Sequence, residues 1–86
     1  MAQIEIYTQP GCPYCTRALR LLREKGLAFQ EISAPYGTGE REESRRRAGG
    51  RTSVPQIFVD GRHIGDCEEI VSLDQRGELD RLLRPA

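Results

Sequence analysis

The chain has 86 residues, too few for two ordinary domains, and reads as a single domain spanning 1–86. Thirteen Lys and Arg against thirteen Asp and Glu leave no formal net charge, so the basic excess of a nucleic-acid or anionic-membrane binder is missing. No apolar run exceeds three residues, which gives neither a membrane-spanning helix nor a signal-peptide core, and the expected location is the cytoplasm.

In chain order, Ile4 and Ile6 alternate with Glu5 and lead into Tyr7, the period of a strand. Thr8-Gln9-Pro10-Gly11 follows as a turn. Pro13 then suits the first position of a helix, with Cys12 as its N-cap. Ala18, Leu19 and Leu22 form the apolar stripe of that helix, Arg17, Arg20, Arg23 and Glu24 its wet face, and Gly26 its stop. Ala28–Ile32 reads as a second strand, parallel to the first because a helix connects them.

Ser33 to Gly39 is a loop, and Glu40 to Ala48, charged nearly all round, an exposed helix ending at Gly49-Gly50. Arg45-Arg46-Arg47 lies on its solvated face, offset by Glu40, Glu42 and Glu43. Gln56–Val59 and Arg62–Ile64 are strands joined by Asp60-Gly61, a two-residue hairpin turn, so these two are antiparallel. His63 is expected as a polar residue of the edge strand. Cys67–Arg76 forms a third helix, and Leu79, Leu82 and Leu83 a last helical turn packed back on the sheet. The order β-α-β-α-β-β-α gives an α/β fold: a small mixed four-stranded sheet flanked by helices.

Three cysteines, an odd number, cannot complete the disulfide framework of a secreted protein. Two of them form Cys12-Pro13-Tyr14-Cys15. At a helix N-terminus the unpaired N–H groups and the dipole favour negative charge, which suits a thiolate at Cys12. Cys15 lies one turn further on, over the same face and within disulfide reach, but deeper. That asymmetry assigns Cys12 as the attacking nucleophile and Cys15 as the resolving thiol. Two other readings compete. A structural disulfide over so short a loop would stabilise little and would be reduced in the cytoplasm. Zinc on Cys12, Cys15, His63 and Cys67 has acceptable ligand types, but well-patterned strands and helices separate the pairs, so no metal is expected.

Ile6-Tyr7-Thr8 before Cys12-Pro13-Tyr14-Cys15, then Thr52-Ser53-Val54-Pro55-Gln56-Ile57-Phe58-Val59, then His63-Ile64-Gly65-Asp66-Cys67-Glu68-Glu69, together resemble the dithiol glutaredoxins of bacterial type. The resemblance spans essentially the whole chain and implies a thioredoxin-like fold. It also implies a glutathione-dependent thiol–disulfide oxidoreductase acting on protein disulfides and glutathionylated proteins, as a monomer, with glutathione as co-substrate. Tyr14 would flank the bound tripeptide. Pro55 matches the family's cis-proline, and Val54 would pair with glutathione's peptide backbone. Ser53 stands where the family commonly has Thr. Cys67 and Glu68 match the segment that receives the γ-glutamyl end. Cys67 itself is otherwise a small buried residue at a helix start.

Two departures bear on that site. Gln9 replaces the family's usual lysine, and Gly65-Asp66 replaces its Gly-Gly, both making the site more negative; Arg41 or Arg51 could compensate. These changes make a carrier reduced by thioredoxin reductase the alternative. An iron–sulfur carrier bridged through Cys12 and glutathione is a second alternative, disfavoured by the dithiol motif.

Overall fold

The computed structural model describes residues 2–84. It comprises β1 (Ile4–Thr8), α1 (Pro13–Glu24), β2 (Gln30–Ser33), α2 (Gly39–Arg47), β3 (Gln56–Val59), β4 (Arg62–Gly65), α3 (Cys67–Gln75) and α4 (Leu79–Leu83). The expected order therefore holds, with the last helical turn as a separate α4. β2 starts at Gln30, two residues later than expected, because Ala28 and Phe29 have no partner on β1, whose parallel pairing opens at Glu5 with Gln30.

The sheet runs β2-β1-β3-β4, with β1 parallel to β2 and antiparallel to β3, and β3 antiparallel to β4. Strand alternation divides the apolar residues between two layers. On one face Ile4, Ile6, Ile57 and Val59 pack with Ala18, Leu19 and Leu22 of α1, Ile70 of α3, and Leu79 and Leu83 of α4. On the other Tyr7 and Phe58 pack with Ala34 and with Ala48 at the end of α2. Their rings meet edge to face, with centroids 5.6 Å apart.

The Asp60-Gly61 turn takes positive φ at both residues, 52° and 81°, the hairpin form whose twist suits the flanking strands. Further on, Ile64 has no partner across the ladder, since Ile57 pairs with Gly65 and Phe58 with His63. Gly65 follows at φ 140°, and a Cβ there would lie 2.7 Å from Glu69 Cβ. Only glycine lets the chain pass so close to the start of α3.

α2 departs most from expectation. Its Arg41 and Ser44 are buried, Arg41 to 8% exposure, so the helix is not exposed all round. Arg47 likewise leaves the solvated face. Its guanidinium lies 4.2 Å over the Phe58 ring, bonds Glu5 at 2.9 Å and donates to Tyr7 Oη at 2.7 Å. Those contacts hold its proton more firmly than in solution, chiefly the bond to Glu5. Burial in turn raises the Tyr7 phenol above its ordinary value, helped by its bond to Glu43.

Candidate active site

Cys12 is the N-cap of α1, with φ −101° and ψ 107°, and Pro13 occupies the first helical position. The cap is made by sulfur: the Cys15 N–H donates to Cys12 Sγ at 3.1 Å. Cys12 is half-buried, whereas Cys15 is buried to 2% exposure inside the first turn. Burial first, and then the interaction of its thiol with that of Cys12, push the Cys15 thiol up to about 12, with the Arg41 charge opposing the rise. The geometry makes one sulfur accessible and keeps its neighbour protonated. That difference in depth matches the one read from the sequence.

The Val54–Pro55 peptide is cis, as expected. The Cys12 thiol donates to the Val54 carbonyl at 3.9 Å, so the approach to β3 forms the wall facing the nucleophile. Behind that wall the buried Gln56 amide donates to the Ser53 carbonyl at 3.1 Å and lies 3.4 Å from Ser53 Oγ. Gln56 Oε1 in turn accepts from His63 Nε2 at 2.7 Å. His63 is thus more than an edge-strand polar residue: it leans on Phe58 and closes a chain of bonds to Ser53. Burial, and the nearby Arg51 charge after it, lower its pKa.

The opposite wall is the start of α3. Asp66 is its N-cap, accepting from the Glu69 N–H at 3.0 Å while Glu69 accepts from the Asp66 N–H at 2.9 Å, a reciprocal capping box. Burial raises the Cys67 thiol, which is buried as expected. Asp66 adopts φ −102°, so replacing glycine there costs no backbone strain. Its charge is also met, because Arg51 bonds Asp66 at 2.8 Å and Glu69 at 2.6 Å. Burial raises Glu69, but the Asp66 N–H and Arg51 outweigh it and hold this carboxyl below its ordinary range.

Between the walls lies an open groove of about 250 Å³, lined by Tyr14, Ser53, Val54, Pro55, Asp66, Cys67 and Glu68. Every residue read from sequence as a ligand contact lines it, joined by Asp66. Tyr14 stands 54% exposed at its rim.

Arg41 bonds the carbonyls of Thr52 at 2.9 Å and Ala34 at 3.0 Å and the Gln9 side chain at 2.7 Å, with the exposed Tyr36 ring stacked 4.0 Å from its guanidinium. It therefore ties the segment before Cys12 to the segment before Ser53. The sequence offered Arg41, with Arg51, as a charge to compensate Gln9 and Asp66, but nothing local showed its burial or its carbonyl partners. Among the described residues no group of three or more His, Cys, Asp or Glu side chains is gathered to hold a metal, and no helix is long and apolar enough to cross a membrane.

A family model for glutaredoxin matches residues 4–64. Glutaredoxin 3 of Escherichia coli K12 is 52% identical over 84 residues, covering 98% of this chain and all of that protein. Glutaredoxin 1 of Rickettsia conorii is 43% identical over 93% of this chain and 79% of its own. The solution structure of a Brucella melitensis glutaredoxin superposes with a TM-score of 0.83 at 46% identity, over 96% of this chain and 89% of that one. The sheet order, the thiol pair at the head of α1 and these similarities together identify the fold as thioredoxin-like. The chain belongs to the glutaredoxin family of thiol–disulfide oxidoreductases.

Proposed function

We propose that the chain uses glutathione as its co-substrate, reducing glutathionylated proteins and protein disulfides through Cys12 and Cys15. The observation that carries this reading is the groove beside Cys12, which gathers Tyr14, Ser53, Val54, Pro55, Cys67 and Glu68 around a space open to solvent. An extended peptide laid along Val54 can pair with its backbone. A carboxylate suits the free N–H groups at the start of α3, and the exposed Glu68 carboxylate suits an amine.

In the cycle, the Cys12 thiolate attacks the glutathionyl sulfur of a mixed disulfide. The Cys12–S–SG bond forms, the old S–S bond breaks, and the departing thiolate takes a proton from solvent. A second glutathione thiolate then attacks the glutathionyl sulfur, releasing the Cys12 thiolate and glutathione disulfide. With a protein disulfide, Cys12 is first bound to the substrate. Cys15 gives up its proton and attacks Cys12 Sγ, expelling the reduced protein thiolate and leaving a Cys12–Cys15 disulfide for glutathione to reduce. The cycle needs no metal, and its compartment is a reducing one such as the cytoplasm.

The test is reduction of a glutathione mixed disulfide with either glutathione or thioredoxin reductase as the electron source. Turnover with glutathione is expected. Turnover with thioredoxin reductase alone would replace this reading with that of a reductase-dependent carrier, which the uncharged Gln9 beside the site favours.

A further inference from the structure

Gly49 and Gly50, at φ 70° and 97°, end α2 and deliver Arg51 to the groove region two residues ahead of Ser53. The Arg51 fork reaches across to α3, with Nη2 on Asp66 Oδ2 at 2.8 Å and Nη1 on Glu69 Oε1 at 2.6 Å. It grips both members of the capping box at once. The segment carrying Ser53, Val54 and Pro55 is thereby fastened to the segment carrying Asp66, Cys67 and Glu68, and these are the two walls of the groove.

The same contact sets the charge of the groove. Three carboxylates, Asp66, Glu68 and Glu69, crowd the first turn of α3. Arg51 engages two of them, and Glu68 has no ion pair among the described residues. A ligand entering the groove meets Glu68 as an open acceptor for a cation. It meets Asp66 already neutralised beside the N–H groups that would take an anion.

We propose that Arg51 is the positioning and specificity-determining residue of this groove: by clamping Asp66 and Glu69 it lets an anionic peptide thiol seat next to Cys12. This rests on the reading of the groove as the glutathione seat. Without Arg51, the freed charge of Asp66 repels the ligand carboxylate. At about 6 Å, repulsion between single charges spans roughly threefold to a hundredfold in an equilibrium constant as the effective dielectric falls from about 80 to about 20. Partial exposure of the pair places the effect near tenfold and makes it sensitive to salt.

The experiment reads an equilibrium in the full chain carrying Cys15→Ser. The Cys12 thiolate and glutathione disulfide exchange to Cys12–S–SG and a glutathione thiolate, and the constant is measured in glutathione redox buffers. A parallel measurement uses 2-mercaptoethanol and its disulfide, a neutral pair that shares the thiol chemistry but carries no charge. The ratio of the two constants isolates recognition of the ligand. Arg51→Gln is expected to lower that ratio about tenfold at low salt and less at high salt. Arg51→Lys, which keeps the charge and loses the fork, should lie between, and adding Asp66→Asn to Arg51→Gln should restore most of the loss. A ratio within twofold of the parent in Arg51→Gln overturns the proposal, as does a loss that neither salt nor Asp66→Asn relieves. A parent protein that shows no preference for glutathione over 2-mercaptoethanol would overturn the glutathione reading itself and this proposal with it.

Discussion

The Cys15 N–H donates to Cys12 Sγ at 3.1 Å, so the residue assigned to resolve the mixed disulfide also holds the attacking sulfur in place. The backbone of Cys15 makes this bond, not its side chain. Replacing the Cys15 side chain should therefore leave the cap on Cys12 intact. Cys12→Ser is expected to abolish reduction of every disulfide substrate. Cys15→Ser should keep deglutathionylation and lose most protein-disulfide reduction. Equal loss in both variants toward a glutathione mixed disulfide would end the division of roles.

Burial keeps the Cys15 thiol at about 12, far above neutral pH. Its thiolate fraction therefore grows about tenfold for each pH unit through the neutral range. Burial persists when Cys12 is bound to a protein, so resolution of a preformed Cys12–protein mixed disulfide should accelerate with pH from 6 to 9 without reaching a plateau. Stopped-flow fluorescence on such an adduct measures this directly, and a plateau near pH 7 would contradict it.

The strands, the α1 start and the hairpin were legible because each rests on a local signal: alternation, proline after an N-cap, Asp-Gly in a turn. The groove residues were legible through motifs. The burial of Arg41 and Arg47 was not, since a run of charges on a helix does not say which of them meets a carbonyl or a ring on another element. Asp66 was a different case. Asp66-x-x-Glu69 before Ile70 is a capping-box signature present in the sequence, and the residue's charge, rather than its cap, drew attention there. Its partner Arg51, one of two arginines the sequence offered to compensate that charge, lies 15 positions away, and no local pattern chose it over Arg41.

The cap gives Asp66 a measurable share of stability. Asp66→Ala removes the acceptor for the Glu69 N–H and the partner of Arg51, at a cost of about 1–2 kcal/mol. For a domain of this size that lowers the unfolding midpoint by roughly 5–10 °C. Asp66→Asn keeps the cap and should fall by less than about 3 °C. Equal midpoints for the Ala and Asn variants would show that the side chain does not cap α3.

Arg41 should matter more. Its guanidinium supplies donors to the Thr52 and Ala34 carbonyls and to Gln9 from a buried position. Arg41→Leu leaves those acceptors without donors, at about 2–3 kcal/mol. Arg41→Lys should recover little, because one ammonium cannot reproduce the fork. Tyr36→Ala, which removes only the exposed stacked ring, should cost about 0.5–1 kcal/mol. Urea unfolding ranks the three, and a Tyr36 effect equal to that of Arg41 would contradict the assignment.

His63 predicts an acid sensitivity that reaches the groove. The Gln56 amide nitrogen is committed to Ser53, so its oxygen faces His63 Nε2 and the ring is held as the neutral tautomer with its proton there. Burial lowers the His63 pKa, and the Arg51 charge adds to the effect. A histidine depressed in the folded state stabilises fully above its unfolded pKa, about 6.5, because both states are then neutral. As pH falls below that, the unfolded chain takes up the proton first, and stability is lost until the folded pKa is passed. Carboxylates also titrate at the lower end of this range, so the histidine share must be isolated by substitution. His63→Gln keeps an amide donor toward Gln56 and has no proton to gain. The stability difference between the parent and this variant should shrink from pH 7.5 to 5.5 in urea titrations. A difference that stays constant over that interval would show that His63 carries no folding-linked proton.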